Sequence, residues 1–231
     1  MRRSVNLYDK VTVKNGFYFR STSYQKNKVK AMVFDLDGTL TLPVIDFNKM
    51  RTETAILEGD LLDKIYAVQD KNERDRLFSI IHDIEEEARD RVAYQPNLES
   101  LINYFRSTEL YNKKLAIVTR NSAAGLDHFK KKLGKDTDCF NIYISRDFLP
   151  YKPHPGSLLH ISKEFDTPTK NILMVGDSHH DIAYGKAAGA QTCLFTTEEH
   201  WTETHDKCVE EDQPDYVIHD LMNLKDIVQQ E

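Results

Sequence analysis

Two periodicities of apolar residues run through this chain. Short continuous apolar runs occur at Val29–Phe34, Leu115–Thr119, Ile142–Ser145, Ile172–Gly176, Thr192–Phe195 and Tyr216–Ile218. Runs of this length, rich in β-branched residues and closed by turn-forming or polar positions, read as buried strands. Between them, helical spacing predicts helices over about Leu98–Phe105, Ala123–Leu133, Pro155–Phe165, His180–Ala188 and Leu221–Gln229. Regular strand–helix alternation implies a parallel sheet covered on both faces, with ligands beyond the carboxyl ends of the strands.

One segment breaks the alternation. From Asp46 to about Tyr94 the chain is charged, poor in glycine and helical in its spacing. Met50, Ile56, Leu57, Leu61, Leu62, Ile65 and Val68 form stripes over two short helices joined near Gly59. Leu77, Ile80, Ile81, Ile84 and Ala88 form a third, longer one, and Pro96 closes the segment. The expectation is a small α-helical cap, residues 46–95, inserted into an α/β core made of residues 29–45 and 96–231.

The chemistry concentrates at the strand ends. Asp35-Leu36-Asp37-Gly38-Thr39-Leu40 follows the first buried run. Two acids beyond a strand end can turn into one loop, where their repulsion calls for a cation or a shared proton. Gly38 permits a tight turn and Thr39 offers a hydroxyl. Thr119 closes the second run, placing a hydroxyl and the following amides where a phosphate oxygen can be bound. Lys152 lies in Tyr151-Lys152-Pro153-His154-Pro155, a stiff turn that presents a fixed positive charge. Ile172–Gly176 leads into Asp177-Ser178-His179-His180-Asp181, two further acids at a strand end, the second in a first helical turn. Such carboxylates suit magnesium, which takes oxygen ligands and retains waters.

The Asp35–Thr39 loop, Thr119, Lys152 and the Asp177–Asp181 loop, in that order, resemble the haloacid dehalogenase superfamily. The short insert Thr41–Phe47 looks like a eukaryotic branch near its phosphoglycolate-phosphatase-like group with a small helical cap. The resemblance covers about residues 30–218. It implies a Rossmannoid parallel sheet and a magnesium-dependent phosphatase working through an aspartyl-phosphate. Asp35 is then the nucleophile and Asp37 the acid/base. Thr119 and Lys152 hold the phosphoryl group. The metal sits on Asp35, Asp177 and the main-chain carbonyl of Asp37, while Asp181 supports the metal or orients Lys152. The cap and nearby loops are expected to choose the leaving group, with Phe47, Met50, Arg51, Arg120 and Asn121 as candidates. Arg51 and Arg120 read more readily as solvated side chains. His179 and His180, being adjacent, are poorly placed to share one ion, and His154 reads as a helix-entry residue.

Composition narrows the partners. A net charge of −6 argues against nucleic acid, and no stretch approaches the roughly 20 apolar residues of a membrane span. Cys139, Cys193 and Cys208 are sparse and lack metal-ligand spacing, favouring a reducing compartment, mitochondrial or cytoplasmic. Residues 1–30 hold eight basic residues and one acid, about +7, leaving about −13 on the rest. Residues 1–28 therefore read as a basic extension: a transit segment, a flexible arm, or a hairpin turning at Asn15-Gly16. Glu198–His205, with Trp201, His200 and His205, reads as a surface loop. The expected partner is a small phosphorylated metabolite. A phosphomutase and a catalytically silent binding module are the competing functions; the intact Asp35, Asp37, Thr119, Lys152 and Asp177 set argues against the second.

Overall fold

A computed structural model describes residues 11–14, 17–20, 27–108, 114–196 and 213–229. The Asn15-Gly16 turn, Cys208 and the Glu198–His205 segment lie outside the described residues. Among the described residues eight strands form one sheet: β1 (Val11–Lys14), β2 (Phe17–Arg20), β3 (Ala31–Phe34), β4 (Leu115–Val118), β5 (Ile142–Ile144), β6 (Ile172–Gly176), β7 (Gln191–Phe195) and β8 (Tyr216–Ile218). Their order is β1-β2-β8-β7-β6-β3-β4-β5. The six strands from β8 to β5 run parallel. At the far edge β1 and β2 pair antiparallel, and β2 pairs with β8 through Tyr18 and Phe19.

The central strands alternate with period two, as a sheet buried on both faces requires. Met32, Phe34, Leu115, Ile117, Leu173 and Val175 face one core, packed against α4 (Leu98–Ser107), α5 (Ala123–Leu133) and α8 (Leu224–Val228). Ala31, Val33, Ala116, Val118, Ile172 and Met174 face the other, packed against α6 (Gly156–Glu164) and α7 (His179–Ala187). Cys193 is buried in the first of these cores. The expected C-terminal helix is divided: Leu221–Asn223 is a 3-10 turn capped by Asp220, and α8 begins after it.

The inserted segment forms α1 (Phe47–Thr54), α2 (Leu61–Ala67) and α3 (Lys71–Arg89). Each starts with an aspartate, Asp46, Asp60 or Asp70, whose carboxylate accepts the amide three residues on. Such caps typically stabilise a helix by about 1 kcal/mol each, which matters for helices of seven and eight residues. Met50, Leu61, Leu62, Ile65, Leu77, Ile81 and Ile84 make a separate small core. Leu57, read into that stripe, instead stands 70% exposed in the connection between α1 and α2, where helical periodicity no longer applies.

Chain order explains the site's location. From β3 the chain steps to β4 and β5 on one side, then returns to β6 on the other. The crevice at such a reversal opens beyond the carboxyl ends of the strands. Asp35 follows β3, Thr119 follows β4, and Asp177 follows β6.

Candidate active site

The first loop is locked by its own backbone. Leu36 O accepts the amides of Thr39, Leu40 and Thr41, while Leu36 and Leu40 are buried in the core beneath. Gly38 turns the chain with φ +87°; a Cβ there would lie 2.2 Å from Asp177 Oδ2. Gln95, where the chain returns from the cap, donates to Gly38 O at 2.8 Å. Nothing in the sequence marks that glutamine, because its partner lies 57 positions away.

The two aspartates of this loop face different neighbours. Asp37 receives Thr119 Oγ1 at 3.3 Å and Asn121 Nδ2 at 3.2 and 3.1 Å on its two oxygens. Burial raises its pKa, partly offset by those hydrogen bonds and reinforced by the nearby charge of Glu85. A carboxyl whose acid form is favoured by burial is suited to exchanging a proton with a reacting group. Asp35 instead accepts from Lys152 Nζ at 2.5 Å.

Lys152 is 3% exposed and its ammonium also contacts Asp181 Oδ1. Burial works against its charge, but Asp181 and Asp35 outweigh that and hold its pKa above the ordinary lysine value. Asp181 is fixed from its other side: Ser178 caps α7, and Ser178 N and Oγ donate to Asp181 Oδ2 at 2.9 and 2.6 Å. Despite burial, Lys152 and Ser178 keep Asp181 below the usual carboxylate range. Gly176 makes room for this arrangement; a Cβ there would sit 2.2 Å from Asp181 Cγ.

Asp35, Asp177 and Asp181 offer carboxylate oxygens that all lie within 4.8 Å of one another. Thr39 Oγ1 donates to Asp177 Oδ1 at 3.1 Å. Burial, then the charge of Asp181, pushes the Asp177 pKa up to about 7. Burial also raises Asp35 well above its ordinary value; Lys152 opposes this, while Asp181, Asp177 and Asp37 add to it. The residues fit a hard cation: oxygen donors cluster tightly, and their repulsion exceeds what one ammonium offsets.

The other sequence candidates are placed differently. Asn121 lies on Asp37. Arg120 reaches the cap, with Nη2 2.7 Å from Asp60 Oδ1. Arg51 is committed to two main-chain carbonyls, Ile56 O at 3.3 Å and Gly59 O at 2.9 Å, and so holds the α1–α2 connection. Met50 is buried in the cap core, whereas Phe47 is 59% exposed. His154 Nδ1 lies 3.1 Å from the amide of Gly156 at the start of α6. His180 packs against His179, ring centroids 3.9 Å apart. Burial, then the charges of His179 and Arg120, lower its pKa.

The cap is fastened to the core by contacts that sequence reasoning missed. Glu85 of α3 and Arg146 form a two-point ion pair with side chains 5% and 8% exposed. Tyr151, beside Lys152, hydrogen-bonds Asp63 and stacks on Tyr66 with centroids 5.2 Å apart.

The family model of haloacid dehalogenase-like hydrolases matches residues 48–195. The chain belongs to that family. A haloacid dehalogenase-like hydrolase domain-containing protein of Arabidopsis thaliana is 32% identical over 222 residues, covering 90% of this chain and 87% of the relative. Pyrophosphatase PpaX of Bacillus mycoides is 26% identical over 216 residues, 87% of this chain and 97% of that protein. Among solved structures, a putative phosphoglycolate phosphatase from Lactobacillus plantarum superposes with TM-score 0.66 at 19% identity, covering 87% of this chain and all of that one. The α/β architecture with a parallel sheet is thus shared, and this haloacid dehalogenase-like chain is a hydrolase by family. Among the described residues no helix is long and apolar enough to cross a membrane.

Proposed function

We propose that this hydrolase is a magnesium-dependent phosphatase of small phosphorylated metabolites, acting through an aspartyl-phosphate on Asp35. The observation that carries this reading is the cluster of Asp35, Asp177 and Asp181 against Lys152, with Asp37 turned away onto Thr119 and Asn121. Two neighbouring aspartates thereby acquire separate roles. Asp35 Oδ attacks phosphorus, and the leaving oxygen takes its proton from Asp37. Asp37, now ionised, accepts a proton from the water that attacks the aspartyl-phosphate, restoring Asp35. Dividing the displacement in two and supplying a positioned acid/base are both established sources of rate, the latter about 10²–10⁴-fold.

Lys152 and Thr119 serve the phosphoryl oxygens, with positions fixed before substrate arrives. Asp181 acts through Lys152, holding the ammonium between itself and Asp35. Asp35, Asp177 and the Asp37 carbonyl would hold the magnesium ion, which supplies charge neutralisation for the nucleophile and the phosphoryl group. The docked cap excludes water while charge develops and must move for substrate entry.

The test is phosphate release from a panel of phosphorylated metabolites in magnesium, comparing wild type with Asp35→Asn. Turnover by the wild type, reduced at least about 10⁴-fold in a folded Asp35→Asn protein, is the expected outcome. Unchanged turnover in that variant would refute covalent catalysis. Isomer formation without phosphate release would favour a mutase.

A further inference from the structure

Arg120 directly follows Thr119, the hydroxyl that lies against Asp37. Its main chain is held: Thr119 N donates to Ile144 O at 2.9 Å, Arg146 N donates to Asn121 O at 3.1 Å, and Arg146 Nη1 reaches Arg120 O at 3.4 Å. The guanidinium therefore projects from a fixed point at the wall of the phosphoryl site, toward the cap. There it meets Asp60 at 2.7 Å, with the two side chains 24% and 18% exposed. The other oxygen of Asp60 lies 4.0 Å from His180 Nε2, in the first turn of α7 beside Asp181. One carboxylate, carried by the part of the molecule that must move, thus spans two nitrogen-bearing side chains anchored in the part that does not.

Asp60 is held there electrostatically: burial opposes its ionisation, yet Arg120, the Asp63 amide and His180 together keep its pKa below the ordinary value. An arginine that pairs with an internal carboxylate can pair in the same way with a ligand carboxylate or phosphate. Arg51 does not compete for this role, since its guanidinium is committed to Ile56 O and Gly59 O.

We propose that Arg120, with His180 beside it, receives a second anionic group of the substrate, and that Asp60 occupies this position until the substrate displaces it. This rests on the phosphatase reading and narrows it. The preferred substrates are short phosphomonoesters bearing a carboxylate or second phosphate at the far end, rather than neutral sugar or alcohol esters. The cap aspartate makes the selection competitive: a neutral tail leaves the Asp60–Arg120 pair unchallenged, whereas an anionic tail exchanges one charge-assisted pair for another.

A purely structural latch between cap and core makes the opposite forecast for one variant. Arg120→Gln and Asp60→Asn both break the pair. Asn still caps α2 as well as Asp does. If the pair is only a latch, both variants act alike. If Arg120 is an anion site, they act in opposite directions on an anionic ligand.

The experiment uses two probes that are not turned over, phosphonoacetate and ethylphosphonate, titrated calorimetrically into the full chain with magnesium. Wild type should bind phosphonoacetate about tenfold or more tighter than ethylphosphonate, the scale of one charge-assisted pair. Arg120→Gln should reduce that preference to within about threefold and Arg120→Lys should retain part of it. Asp60→Asn should tighten phosphonoacetate binding about fivefold by removing the internal competitor. Absence of preference in the wild type, a preference that survives Arg120→Gln, or equal weakening of both probes by Asp60→Asn would overturn the assignment. Phosphate release is measured alongside. Release without charge preference would refute the subsite and keep the phosphatase; Arg120-dependent phosphonoacetate binding without release from any phosphomonoester would do the reverse.

Discussion

Removing divalent metal should make the stability of this protein fall as pH rises from 5 to 7.5. The cause is Asp177, whose carboxyl, buried and close to Asp181, titrates at about 7 in the folded chain against an ordinary value of 3.8. The folded protein therefore holds a proton more tightly than the unfolded chain, and stability declines through the interval between those two values. At about 1.4 kcal/mol per pKa unit the whole effect is about 4 kcal/mol, of which about 2–3 kcal/mol falls between pH 5 and 7.5. For a domain of this size that is a Tm loss of about 5–10 °C. Magnesium at the proposed site would favour the ionised carboxylate of Asp177, so its stabilising effect should be larger at pH 7.5 than at pH 5. The assay is thermal unfolding at four pH values in EDTA and in 5 mM magnesium (about 5 mM being ample for a site of ordinary affinity). Asp177→Asn is the control: its EDTA profile should be flatter than that of wild type, and its magnesium response should vanish. A wild-type Tm in EDTA that is level or rising from pH 5 to 7.5 would refute the reasoning, as would an Asp177→Asn protein with an undiminished slope.

Other perturbations test the supports of the site. Arg146→Ala leaves Glu85 buried and unpaired, so thermal unfolding should show a loss of about 3–5 kcal/mol, largely recovered when Glu85 is also replaced by leucine. Asn121→Ala removes a hydrogen bond that lowers the Asp37 pKa; the alkaline limb of kcat/KM should move to higher pH, because the acid form persists further, while kcat falls about tenfold or more. Gly176→Ala places a methyl group 2.2 Å from Asp181 Cγ, which forces Asp181 away from Lys152, and kcat should drop about 100-fold or more with the overall fold retained by circular dichroism.

Much of the molecule is written locally. Six apolar runs gave the six parallel strands, and the period-two alternation within them set which residues face each helical layer. The spacing from Asp46 to Ala88 gave three cap helices with nearly the right hydrophobic face; Leu57 fell outside because periodicity has no force in a turn. Asp35, Thr119 and Asp177 could be singled out because each directly follows a strand, where a parallel sheet collects its ligands, and Lys152 because it lies on the stiff turn leading into α6.

Features that depend on neighbours along the chain are therefore legible in it: strands, helices, caps, and the polar residues that follow each strand. Only the folded arrangement sets which of those polar groups face one another. It gave Lys152 two carboxylates, turned Asp37 onto Thr119 and Asn121, withdrew Arg51 onto backbone carbonyls, and set Arg120 against Asp60. It also buried Glu85 with Arg146, 61 positions apart. Charges attract through space and leave no periodic trace in the chain, so such pairs become legible only when the sheet has brought them together.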